Sequence, residues 1–111
     1  MRMDYKPNKA SKALFKAILA LKTEEECKKF LRDLLTENEI KEFANRWLVA
    51  RMLDKKVNYL EIEKETGMSS TTIARISKWL TKGLGGYQLM LEKFRTMNVN
   101  QEATSVHHST A

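Results

Sequence analysis

The stretch Asn58-Tyr59-Leu60-Glu61-Ile62-Glu63-Lys64-Glu65-Thr66-Gly67-Met68-Ser69-Ser70-Thr71-Thr72-Ile73-Ala74-Arg75-Ile76-Ser77-Lys78-Trp79-Leu80 decides the reading of this chain. It predicts a short helix, a tight turn through Gly67 and a second helix. Glycine has no Cβ to clash at positive φ, so Gly67 suits the turn. Ile62, Met68, Ile73 and Ile76 are spaced to pack the two helices on each other. Ser69 is placed to cap the second helix, its hydroxyl accepting from a free N–H of the first turn. That turn then presents Ser70, Thr71 and Thr72, and Arg75 and Lys78 follow at helical steps. A major groove about 12 Å wide admits one α-helix, and an Arg can pair bidentately with guanine. A Lys contributes mainly a salt-sensitive phosphate contact. Ser69, Ser70, Thr71, Thr72, Arg75 and Lys78 are therefore the candidate DNA-binding residues, with Arg75 as base reader and Lys78 as phosphate contact. The competing reading is an ordinary amphipathic helix pair joined by a glycine turn.

The rest of the chain reads as helix too. Thr23-Glu24-Glu25-Glu26 and Thr36-Glu37-Asn38-Glu39 fit the capping box, in which a hydroxyl accepts from one free N–H and a Glu reaches back to another. Asn58-Tyr59-Leu60-Glu61 is a weaker version. Leu14, Phe15, Ile18 and Leu21 form a stripe on a first helix, about 9–22, and Cys27, Phe30, Leu31, Leu34 and Leu35 on a second, about 24–35. A third helix, about 37–54, is apolar on more than one side, through Ile40, Phe43, Ala44, Trp47, Leu48, Val49, Met52 and Leu53. Such a helix must be covered on more than one side, by its own bundle or by a second subunit. Further helices are expected near 59–66, 70–82 and 87–95, with Gly83-Leu84-Gly85-Gly86 breaking the chain between the last two. The fold class is all-α with about six helices. One helical DNA-binding and dimerisation domain is expected over 1–95, with the helix-turn-helix at about 58–82 and a flexible tail over 96–111.

The 111 residues suit one domain and carry a formal charge of +6. That charge is segregated. Residues 1–22 hold six bases against one acid, and residues 67–98 hold five against one, while 23–66 hold nine bases against eleven acids. A merely solvated face scatters both signs, as the middle does. No apolar run approaches the roughly 20 residues that span a bilayer, and the start lacks the apolar core of a secretory signal. With a single cysteine, Cys27, this predicts a cytoplasmic protein of a reducing compartment with no membrane partner.

At these residues the chain resembles the Trp repressor superfamily, and within it the small bacterial Trp-repressor-related proteins. The resemblance spans about 28–95. It rests on Leu35-Thr36-x-x-Glu39, Arg46-Trp47, Thr72-Ile73-Ala74-Arg75 in the helix-turn-helix, and Gly83-x-Gly85-Gly86-Tyr87. It implies an intertwined homodimer that regulates transcription, probing two successive major grooves about 34 Å apart on a near-palindromic site. The repressor holds its corepressor with a threonine and two arginines, and Thr36, Arg46 and Arg75 are the matching candidates here. The arginine spacing is one residue shorter, a rotation of about 100° on a helix. Ile76 stands where the repressor has a glycine, and Trp79 where it has a small hydroxyl residue. Thr36, Arg46, Arg75, Ile76 and Trp79 thus outline a candidate effector pocket from which tryptophan is expected to be excluded. Any effector it holds is unidentified. Arg46 has a competing reading as an ion-pairing or structural hydrogen-bonding residue.

Other chemistry finds no support. His107 and His108 lack Cys or acidic partners at metal spacing. Cys27 sits on an apolar stripe and reads as core. Gly83-Leu84-Gly85-Gly86 lacks the preceding strand of a nucleotide-binding fingerprint. No enzyme, cofactor or metal is expected. The function expected is a sequence-specific DNA-binding regulator, a repressor acting as a dimer on double-stranded DNA. The alternative is a helix-turn-helix that docks on the transcription machinery as a protein-interaction module. A third reading is sequence-independent DNA packaging. Lys9, Lys12 and Lys16 on one face of the first helix are open to phosphate binding or plain solvation.

Overall fold

A computed structural model describes residues 4–105, with the backbone alone for 98–105. His107 and His108 lie outside the described residues. Six helices follow one another: α1 (Lys9–Ala20), α2 (Glu24–Leu34), α3 (Glu37–Asp54), α4 (Tyr59–Thr66), α5 (Ser70–Lys82) and α6 (Gly86–Ser105). No strand occurs among the described residues.

The starts are set locally by side-chain caps. Asn8 Oδ1 accepts from the Ser11 N–H at 2.8 Å and Asn58 Oδ1 from the Glu61 N–H at 2.9 Å. At α3 the capping box is reciprocal. Thr36 Oγ1 accepts from the Glu39 N–H at 3.1 Å, and Glu39 Oε1 accepts from the Thr36 N–H at 2.9 Å. At α2 the box is shifted. Thr23 Oγ1 accepts from the Glu26 N–H at 3.1 Å, but Glu26 reaches one residue further back, to the Lys22 N–H at 2.8 Å.

Two compact units share the chain, one of residues 4–47 and one of residues 48–105. The first holds α1, α2 and the start of α3. Its apolar stripes are only half-buried at Leu14, Leu21, Cys27, Phe30, Leu31 and Leu35, and no residue in it is fully buried. The second holds the end of α3 with α4, α5 and α6. Val49, Ala50, Ile62, Ile73 and Ile76 are completely shielded there, and Leu91 is 4% exposed. The expected packing set of the helix pair is thus its core, with Met68 half-buried beside it. Of the many-sided apolar surface of α3, Val49 and Ala50 are covered within the chain, whereas Phe43 is 51% exposed.

The end of α3 is closed by two backbone bonds, Lys56 N–H to Leu53 C=O and Val57 N–H to Met52 C=O, each 3.0 Å. This places Lys56 at φ +66°, in the left-handed region that glycine usually occupies. The last helix differs from its expected end at 95. It continues to Ser105, so the stretch expected to begin a tail at 96 is helical that far. Residues 96–105 contain neither glycine nor proline, and Thr96 Oγ1 donates back to the Glu92 C=O at 3.1 Å. Polar composition there suggests a tail, yet nothing in it breaks a helix.

Candidate nucleic-acid interface

The candidate interface is built from α4, the turn after it and α5. α4 ends at Gly67, φ +73°, whose N–H donates to the Glu63 C=O at 2.8 Å. Thr66 holds the turn from the other side. Its hydroxyl donates to the Ile62 C=O at 2.7 Å and accepts from the Met68 N–H at 3.1 Å. Ser69 then caps α5, with Oγ accepting from the Thr72 N–H at 3.2 Å and donating to Thr72 Oγ1 at 3.1 Å. Ile73 and Ile76 anchor α5 in the core. The opposite side must therefore face outward.

That outward side is the candidate site. Thr71, Arg75 and Lys78 stand at i, i+4 and i+7, and all three are exposed. Lys82, at i+11, extends the same stripe and is exposed. The spacing alone adds Lys82 to the candidates that end at Lys78 in the sequence. Ser69 and Ser70 are exposed at the helix start, and Thr72 is half-buried on the flank. α5 contains no acid, and no ion pair among the described residues engages Arg75, Lys78 or Lys82. Three cations therefore share one ridge along the helix, with Ser69 and Ser70 at its positive dipole end.

The far end of α5 is fixed by contacts that local patterns do not reveal. A Cβ on Gly83 would lie 2.6 Å from the Trp79 carbonyl oxygen, so no other side chain fits without displacing backbone. Gln88 Nε2 donates across the break to the Leu80 C=O at 2.6 Å, tying the start of α6 to the last turn of α5. Arg95 Nη1 reaches both carboxylate oxygens of Asp54, at 3.1 and 3.0 Å, tying α6 to the end of α3. α6 thus braces the helix that carries the basic ridge.

The effector-pocket candidates have other engagements. Thr36 caps α3 through the bonds given above. Arg46 Nη2 donates to Glu42 Oε2 at 2.6 Å, and its guanidinium lies 5.8 Å from the Phe43 ring centroid. That is the ion-pairing role set beside the ligand role in the sequence. Both residues belong to the unit of residues 4–47, whereas Arg75, Ile76 and Trp79 belong to the other. Arg75 lies on the exposed ridge, Ile76 is completely buried in the core and Trp79 is half-buried. Among the described residues no group of His, Cys, Asp and Glu could hold a metal ion, and no helix is long and apolar enough to cross a membrane.

A glycine-turned helix pair, its second helix basic and acid-free, on an all-α scaffold defines a helix-turn-helix protein of the regulatory class. Residues 9–95 match the family model for Trp repressor protein, and this chain belongs to that family. The match reaches back through α2 and α1, further than the residues that carry the sequence resemblance. Over 95 residues the chain is 42% identical to YerC, an uncharacterized protein of Bacillus subtilis (strain 168), covering 86% of this chain and 91% of that one. The crystal structure of a TrpR-like protein from Eubacterium eligens ATCC 27750 superposes with a TM-score of 0.76 at 39% identity, covering 78% of this chain and 90% of that chain. A second solved structure, of a putative Trp repressor from Staphylococcus aureus, gives 0.76 at 38% identity, over 80% of this chain and 89% of that one. The family is one of DNA-binding regulators, not of enzymes.

Proposed function

We propose that this protein is a sequence-specific transcriptional regulator, a repressor that binds a near-palindromic operator as a homodimer. The observation that carries the reading is the ridge Thr71, Arg75, Lys78 and Lys82, outward-facing and free of acids on the helix that follows the turn. Arg75 reads a base edge, and Lys78 and Lys82 hold phosphates. Ser69, Ser70, Thr71 and Thr72 sit where small hydroxyls approach the backbone of the duplex. The homodimer is supported by the unit of residues 4–47, whose apolar stripes find no full burial within one chain. Two recognition helices about 34 Å apart then meet successive major grooves.

Tryptophan is not its corepressor in this reading. Ile76 supports this, because its bulk fills the core of the helix pair where the resemblance places a glycine. Arg46, held by Glu42 and stacked on Phe43, is an interaction already made rather than one awaiting a ligand. Calorimetric titration with L-tryptophan is expected to give no heat of binding. Saturable binding at micromolar concentration would overturn the exclusion.

Selection from random duplex DNA is expected to return one preferred, near-symmetric sequence. On that sequence Arg75→Ala should cost about 1–3 kcal/mol and relax preference at one position of each half-site. Lys78→Ala should weaken all sequences alike and lower the salt slope by about 1. If both variants keep wild-type affinity and slope, the ridge is not in the groove. Retention of a transcription-machinery partner in the presence of excess competitor DNA would instead favour the protein-docking alternative.

A further inference from the structure

The other concentration of unbalanced charge is on α1. Between Tyr5 and Lys22 the chain carries Lys6, Lys9, Lys12, Lys16 and Lys22 and no acid. Lys9, Lys12 and Lys16 fall at i, i+3 and i+7, within an arc of about 60°. All three are exposed, and none enters an ion pair among the described residues. Ala13 and Ala20 flank the stripe on one side, so nothing bulky on that edge keeps a partner from the ammonium groups. The lysines of α2 contrast with these. Lys28 and Lys29 share their helix with four acids, Glu24, Glu25, Glu26 and Asp33, so their charge is not segregated.

We propose that the Lys9–Lys12–Lys16 stripe binds phosphates of duplex DNA. The inference rests on the DNA-binding reading and adds a second contact surface to it. A flexible ammonium is suited to the point contact that a phosphate offers and carries no sequence information. The alternative polyanion, an anionic lipid surface, needs apolar side chains to insert beside the lysines. Of the exposed large apolar side chains of α1, Ile18 lies on the far side of the helix and Phe15 packs edge-on against Tyr5 at 6.5 Å, so Leu19, 83% exposed, is the single one bordering the stripe. A phosphate backbone asks for no such insertion.

The test measures affinity against salt by fluorescence anisotropy on random-sequence duplexes, because the phosphate contribution is independent of sequence. The triple variant Lys9→Gln, Lys12→Gln, Lys16→Gln is expected to lower the slope of log K against log [salt] by about 2.7 per protomer, about 0.9 for each phosphate left without its lysine. A control, Lys28→Gln, Lys29→Gln, Lys41→Gln, removes the same formal charge from exposed positions and should leave the slope unchanged. Equal slopes for the α1 variant and wild type overturn the proposal. So does an equal drop in the control, which would reduce the effect to net charge. Loss of binding to anionic phospholipid vesicles with an unchanged DNA slope also overturns it, in favour of a membrane surface. The α5 reading fails separately: Arg75→Ala and Lys78→Ala would behave as wild type while the α1 slope change persisted.

Discussion

Residues 4–47 and residues 48–97 are built from the same kind of helix, capped and amphipathic, yet they differ in one respect. The later region buries Val49, Ala50, Ile62, Ile73, Ile76 and Leu91, and the earlier region buries nothing fully. Caps and propensity decide that a helix forms, but an amphipathic helix in water is held mainly by what covers its apolar face. The later region covers enough of its own to form a core, although Leu60, Leu84 and Leu89 stay more than half exposed. The earlier one presents Phe15, Ile18, Leu19, Leu34 and Phe43 to solvent, with Leu19 83% exposed. A second copy of the chain is the cover we propose, and the contrast can be broken at either end.

The largest effect is expected in the region that has a buried core. Ile76→Ala removes a completely buried side chain between the helices of the helix-turn-helix and should cost about 2–5 kcal/mol in chemical denaturation. A cost typical of surface positions, within about 0.5 kcal/mol, would mean that this core is not what holds the pair together.

Phe43→Gln probes the other region. On a lone chain, where Phe43 is half-exposed, the change should be nearly neutral. Against a partner it places an amide in an apolar contact and should cost about 1–3 kcal/mol. Sedimentation should then show dimer converting to monomer, with melting temperatures that depend on protein concentration. An unchanged oligomeric state and stability would leave residues 4–47 without the partner inferred for them.

The smallest effect is a gain at the boundary after α3. Lys56 holds a left-handed backbone without being glycine. Lys56→Gly removes the Cβ conflict at that position and should stabilise by about 1 kcal/mol, less what the more flexible unfolded chain gives back. A loss of stability would show that the Lys56 side chain contributes more than its backbone strain costs.

Local features were the most legible in the sequence. Asn58, Gly67 and Ser69 announce the helix-turn-helix because a cap or a positive φ depends on a few adjacent atoms. The reciprocal box of Thr36 and Glu39 is legible for the same reason. The shift of Glu26 to the Lys22 N–H was not, since a flexible carboxylate can reach either of two neighbouring donors. The length of α6 was obscured by polar composition that suits a tail and a helix alike. Within the candidate site, Arg75 and Lys78 follow from spacing, and Lys82 follows from the same count. The clamp from Gln88 to Leu80 and the pair of Arg95 with Asp54 join residues whose approach no periodicity encodes.

The sequence by itself determined the six helices, the glycine turn and the acid-free basic ridge of α5. Each arises from contacts within a turn or two of one helix. Only the tertiary structure decided which apolar faces were covered, that Ile76 became core and that α6 braced the end of α5. Burial and long-range pairing depend on which surfaces meet, and one chain's local pattern is compatible with several such meetings.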